Sequence, residues 1–172
     1  DLQGANLVGA TLTDAQLKLA LYDAQTVWPD GFRYTSSGAV GPGAALNGAY
    51  LNPANLKNAA LTGAMLLGAY LSGANLSGAN LSGAALAGAN LQKASLIGAN
   101  LKGASLAGAE LQSCDMRATN LTDVDMSAVG NISGADFSEA VGLDEAGRSK
   151  LLSHAENELN EWNAYTRKTT LE

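Results

Sequence analysis

The chain has 172 residues, 47% of them apolar and only 15% charged, with a net charge of −6. No stretch approaches the roughly 20 unbroken apolar residues of a membrane helix, one cysteine forbids an internal disulfide, and the few lysines are diluted by serine, threonine and alanine into no basic stripe for nucleic acid. A single histidine, with no phosphate loop, nucleotide fingerprint or zinc spacing, leaves little from which to build a catalytic centre.

A five-residue rule runs from the first residues. Leu2, Leu7, Leu12, Leu17 and Tyr22 recur at that interval, and from Ala44 to Ala109 an alanine stands at every fifth position with a leucine two residues after it, ending at Leu111. Five residues fit neither the 3.6 period of a helix nor the alternation of a half-buried strand. What fits is a short extended stretch and a corner: in Gly73-Ala74-Asn75-Leu76-Ser77 extended backbone turns Ala74 and Leu76 to one side, and the glycine before the alanine suits a tight corner. Alanine and leucine are therefore read as the inside of a coil.

These residues resemble the motif of the pentapeptide-repeat proteins, A-(D/N)-L-x-x, over about residues 1–142. The resemblance implies an all-β, right-handed quadrilateral parallel β-helix with four repeats and 20 residues to the coil, and mostly non-catalytic relatives. Five central positions precede residue 23, seventeen run in register from Leu46 through Met116, Leu121 and Met126, and two follow a one-residue slip near Gly130, at Ile132 and Phe137. Such a slip reads as a bulge. The count gives about six coils, and at the ordinary strand spacing a rod about 29 Å long. The domain expectation is a β-helix over 1–142 with a loop insertion at 23–43, then an α-helical cap over 143–170.

Residues 23–43 break the rule and carry Trp28, Phe32, Tyr34 and two prolines. Tyr22 to Phe32 is similar to a stretch, Tyr-(Asp/Asn)-x-x-Thr-x-aromatic-Pro-x-Gly-Phe, of some cyanobacterial relatives, which hints at a cyanobacterial or plastid source. Long loops in compact domains are functional or packed covers. Sorting outward residues by face puts Ala45, Met65, Leu67, Ala85 and Ala87 on one apolar side and Tyr50 and Tyr70 on the next, stacked one coil apart. Exposed apolar patches commonly mean contact. The expectation is that Trp28 and Phe32, with Val27, fold down on Met65, Leu67 and Tyr70. A protein partner or a dimer at this surface is the alternative, and Met65, Leu67, Tyr50, Tyr70, Trp28 and Phe32 are the candidate binding residues.

Charge is uneven along the rod. Between Ala44 and Ala109 there are three lysines and no acid, whereas Glu110 to Glu139 holds six acids against Arg117 alone. Asp115 and Asp136 fall on one face in adjacent coils, about 5 Å apart. They are expected as solvated rim acids, with a cation site or capture of Arg117 as the other outcomes. Relatives that protect or inhibit type II topoisomerases resemble duplex DNA in width and charge. This chain departs from them in its modest charge, its net basic middle and its leucine centres.

In the tail, Leu151, Leu152, Ala155, Leu159 and Trp162 recur at helical spacing, with Asp144 or Ser149 as cap. A helix laid across the coil end hides strand edges and the leucine core. His154 has Glu158 one turn away and is expected on the surface or against the coil end, and Cys114 replaces an inward alanine as core packing. Leu171-Glu172 reads as a cloning scar.

The functional expectation is a non-enzymatic structural or protein-protein interaction module, without cofactor, meeting an unidentified protein partner and most simply a monomer. A DNA-mimicking regulator of a type II topoisomerase is the alternative. Asp1 already lies inside a repeat, so an upstream segment is expected to have been removed in cloning or by signal processing. The compartment is cytoplasmic, or periplasmic or thylakoid-lumenal if a signal peptide was lost.

Overall fold

The computed structural model describes residues 1–161; Trp162 and Leu171-Glu172 of the sequence reading lie outside the described residues. Backbone pairing follows the arithmetic of the repeat. Ala45, Tyr50, Asn55 and Ala60 form parallel bridges to Met65, Tyr70, Asn75 and Asn80, each 20 residues on, and the relation continues level by level to Asp125. Within a repeat the alanine amide turns back on the preceding leucine, as Ala49 N–H does to Leu46 C=O at 3.0 Å. Between levels, Leu46 N–H donates to Met65 C=O and Met65 N–H to Ala44 C=O, at 2.7 and 2.9 Å. The corner amide of Gly48 closes the set on Leu67 C=O.

The inside is as the spacing predicts. The central leucines from Leu46 to Leu111 and the inward alanines from Ala59 to Ala109 are buried, stacked in columns of one small and one large side chain. Each leucine so buried is worth about 1.5–3 kcal/mol over exposure. The corner position is left-handed with glycine and with several other residues, Pro53 excepted: φ is +65° at Gly88 and +55° at Ala118. Glycine predominates there because an L side chain strains that backbone by about 1–2 kcal/mol.

The 23–43 segment differs from its expected form. Rather than leaving the coil as an insertion, it joins the ladder: Val27 bridges Asn6, Val40 bridges Leu21, and Tyr22 N–H donates to Val40 C=O at 3.0 Å. It thus fills a level of its own between residues 1–20 and the run from Ala44, one more than repeat counting supplies. Its aromatics turn inward. Trp28 stacks on Tyr34 at 5.2 Å and on Phe32 at 5.5 Å, and meets Tyr22 edge-on at 5.4 Å. Tyr22 stands at a central position over Gly41, where a Cβ would lie 2.6 Å from its ring. Glycine replaces the central leucine because the tyrosine ring already occupies that space. A short 3-10 turn, Tyr34–Ser36, completes this level.

The slip at Gly130 is also visible. Past it the bridges join residues 21 apart, Asp115 with Asp136 and Asn120 with Val141. A Cβ on Gly130 would fall 2.6 Å from Glu110 Oε1, whose other oxygen accepts from Asn131 N–H at 3.0 Å. A bare backbone at 130 therefore lets Glu110 lie across the irregularity and satisfy an amide. Two helices follow, α1 (Glu145–Leu152) and α2 (Glu156–Leu159). Of the two cap candidates Asp144 serves, accepting from Gly147 N–H at 2.7 Å, and Leu151 joins the buried core. Glu158 accepts from His154 Nδ1, 3.0 Å away, and from Ile132 N–H at 3.3 Å, tying α2 to the last level.

Candidate interaction surface

The repeat sets what an outward residue must do. The N–H after a central leucine points away from the ladder, and where an asparagine or aspartate stands just before the leucine it supplies the acceptor. Asn75 takes Ser77 N–H, Asn90 takes Gln92 N–H and Asn120 takes Thr122 N–H, all at 3.0–3.1 Å. Asn80 also accepts from Asn100 Nδ2, one level on. Polar residues in the A-(D/N)-L frame are thus part of the fold, including those in Asn-x-Ser/Thr triplets.

Tyr50, Met65 and Tyr70 occupy that same position without an acceptor. At Met65 the amide of Leu67 takes Asn47 Oδ1 from the level before instead, at 3.0 Å. The tyrosine rings stack at 4.7 Å and 4°. Tyr50 is 68% exposed, Tyr70 45%, and Met65 and Leu67 are exposed beside them. Alanine or serine also replaces the acceptor at Ala45, Ala60, Ala85, Ser95 and Ser105, but at Tyr50, Met65 and Tyr70 large apolar and aromatic side chains stand there and face solvent.

The structure separates the six candidate residues into two groups. Tyr50, Met65, Leu67 and Tyr70 form the surface zone, while Trp28 and Phe32 belong to the inward aromatic cluster with Tyr22 and Tyr34. The expected cover is corrected accordingly, and Val27 is held in the ladder with its side chain exposed. The reason is the vacancy over Gly41: a level without a central leucine must be filled from within, and Tyr22 with Tyr34 and Trp28 fills it. Spacing alone missed Tyr34, although its place in an aromatic-rich segment was a signal. Exposed Ile97, which follows Leu96 on another face, was also overlooked.

The acidic end is corrected too. Asp115 and Asp136 are not solvated; Asp136 is 0% exposed. Arg117 holds Asp115 with two bonds, Nε to Oδ1 at 2.9 Å and Nη2 to Oδ2 at 2.8 Å, and lies 4.0 Å from Asp136 Oδ2. The hydrogen bond from Arg117 to Asp115 raises the guanidinium pKa still further. Asp136 also accepts from Ser138 N–H and Oγ, at 2.8 and 2.6 Å. With a guanidinium placed between the carboxylates, the pair is an internal ion-pair network. No group of three or more potential metal ligands occurs among the described residues. Cys114 is fully buried, and desolvation, then the Asp115 charge, push its thiol pKa well up, which makes it a poor nucleophile.

The family profile of pentapeptide repeats matches in eight copies, whose overlapping spans run from residue 43 to residue 141. The chain belongs to the pentapeptide-repeat family. A pentapeptide-repeat protein from the Arabidopsis thaliana thylakoid lumen is similar to it in structure, with a TM-score of 0.67 and 28% identity, covering 73% of this chain and 83% of that one. Rfr23, a pentapeptide-repeat protein from the cyanobacterium Cyanothece 51142, is 33% identical over 46% of this chain and 54% of its own, with a TM-score of 0.29. HetL, the pentapeptide-repeat protein involved in heterocyst differentiation regulation in Nostoc sp. strain PCC 7120, is 28% identical over 69% of this chain and 63% of its own, with a TM-score of 0.26. No curated relative matches the chain. No helix among the described residues is long and apolar enough to cross a membrane.

Proposed function

We propose that this pentapeptide-repeat protein is a non-enzymatic interaction module, a right-handed β-helix of square section over residues 1–142, capped by α1 and α2, that offers Tyr50, Met65, Leu67 and Tyr70 to a protein partner. One observation carries the reading: Tyr50, Met65 and Tyr70 put large exposed side chains at the position where the fold elsewhere takes a polar acceptor, with exposed Leu67 beside them. Two stacked tyrosines present large apolar area at low conformational cost, the residue type that dominates protein contacts. Four repeats in a 20-residue level support the square section, and Leu151 with the Glu158–Ile132 bond supports the cap. The thylakoid-lumen setting of the Arabidopsis relative favours a plastid or cyanobacterial compartment of that kind.

The test is affinity capture from a cyanobacterial or thylakoid extract with the native chain and with a Met65→Asn/Tyr70→Asn variant. A protein retained by the first and lost by the second supports the reading; equal retention by both refutes it. DNA mimicry draws less support, because Asp115 and Asp136 are turned in on Arg117 instead of presented to a partner. Inhibition or protection of a type II topoisomerase in a supercoiling assay at micromolar protein would revive it.

A further inference from the structure

The ladder between levels is broken where residues 8–18 face the 23–43 segment. Leu7 N–H donates to Val27 C=O at 2.7 Å and Leu19 N–H to Gly38 C=O at 3.0 Å. Between those bonds, no backbone group of residues 8–18 pairs with the next level among the described residues. The cause lies opposite. Pro29 has no N–H to offer, while the amides of Phe32, Tyr34, Ser36 and Ser37 are turned onto carbonyls of their own segment, from Pro29 to Tyr34.

The break leaves a cavity of about 390 Å³ between Ala10–Thr13 on one side and Pro29–Phe32 on the other. Its lining includes Leu12 and Ala10, whose N–H and C=O make no bond to the next level among the described residues. In the regular levels these two groups are both taken by a single residue, as Met65 takes Leu46 N–H with its carbonyl and Ala44 C=O with its amide. The cavity is therefore bordered by the donor and acceptor that one extended residue satisfies. Leu12, half-buried where most central leucines are fully buried, offers apolar contact beside them, and Asp30 offers a charge.

We propose that this notch binds an extended peptide of a partner protein, which adds to Ala10–Thr13 as a parallel strand, one residue bonding both Leu12 N–H and Ala10 C=O, with a basic side chain next to Asp30. Addition of a strand to an open edge is a general recognition mode in which main-chain bonds give affinity and neighbouring pockets give specificity. The site is separate from the tyrosine-methionine surface and stands or falls without it.

The probe is a random heptapeptide library displayed on phage and panned against the full chain, followed by amide hydrogen exchange with a selected peptide at saturation. Exchange of the Leu12 amide is expected to slow at least tenfold, the selected peptides to be enriched in lysine or arginine, and Asp30→Asn to weaken binding severalfold. Leu12→Pro, which deletes the donor, is expected to lower affinity at least tenfold while Met65→Asn/Tyr70→Asn leaves it unchanged. Should Leu12→Pro fail to fold, the exchange measurement on the native chain decides alone. The proposal is overturned if no peptide is enriched, if protection appears around Tyr50 and Tyr70 and not at Leu12, or if a folded Leu12→Pro chain binds as well as the native one.

Discussion

The Tyr22 hydroxyl donates to the Pro42 carbonyl at 2.7 Å across the place where Gly41 has no side chain. The two residues fit as one unit: the ring fills the centre of its level and the hydroxyl closes the chain that runs under it. Gly41→Ala drives a methyl against the ring and should destabilise the fold by about 1–3 kcal/mol. Tyr22→Phe keeps the ring and loses the bond, for about 1 kcal/mol. Urea unfolding followed by Trp28 fluorescence measures both, and a neutral Gly41→Ala would show that the ring does not occupy that space.

Alkaline pH gives an independent reading of the same residue. Burial, with the nearby Tyr34 as a smaller cause, pushes Tyr22 up to about 12. A tyrosine whose folded pKa exceeds its unfolded value near 10 keeps its full contribution below pH 10, and loses it as the pH climbs toward 12 because the unfolded chain releases the proton first. The native chain should therefore lose stability between pH 10 and 12 more steeply than Tyr22→Phe. Parallel curves would place the phenol in water.

At the corners, Gly88 has a φ of +65° and open space around the position of a Cβ. Gly88→Ala thus isolates backbone strain from steric clash and is expected to cost about 1–2 kcal/mol. Ala118, at +55°, is the reverse experiment. Ala118→Gly relieves that strain and should raise stability by up to about 1 kcal/mol after the entropy of glycine in the unfolded chain is deducted. Melting curves of the pair should move in opposite directions.

Acceptors before the leucine separate fold from surface. Asn120→Ala removes the partner of Thr122 N–H and Oγ1 and should cost about 1 kcal/mol. Met65→Asn restores the local acceptor for Leu67 N–H, so stability should hold or rise while partner capture is lost. A Met65→Asn chain that melts several degrees lower would mean the methionine serves the core.

Arg117 stands between Asp115 and Asp136, both buried. Arg117→Met deletes the cation and leaves the carboxylates to each other; with the guanidinium 39% exposed, solvent screening limits the loss to roughly 1–2 kcal/mol. Chemical denaturation at neutral pH checks it, and a loss below about 1 kcal/mol would mean that solvent reaches the pair.

Much of this was written in the sequence because each level repeats the same demands. Alanine and leucine at fixed spacing name the inside, glycine before alanine names the corner, and the displaced frame at Gly130 names the irregularity that Glu110 spans. The 23–43 level was illegible by period: its ladder contacts come from Val27 and Val40, its filling from Tyr22, Trp28 and Tyr34, and its centre from a glycine. A missing side chain at Gly41 leaves no hydrophobic mark for a periodic search, and only the tyrosine 19 residues earlier explains it. Likewise, Asp115 and Asp136 were placed on one face correctly, but their burial depends on how Arg117 and the last level close over them. The surface zone was found by apolar character, and rightly so, since the asparagine is also absent at Ala60, Ala85, Ser95 and Ser105.

Because each bridging residue from Met65 to Ser105 pairs with those 20 residues before and after it, the distance between the tyrosine zone and the acidic end is set by the number of levels. Duplicating residues 86–105 should lengthen the molecule by about 4.8 Å without disturbing either end. The protein is in this sense an adjustable spacer, graduated in steps of one strand width, whose tyrosine zone and acidic end can be moved apart while each keeps its own chemistry.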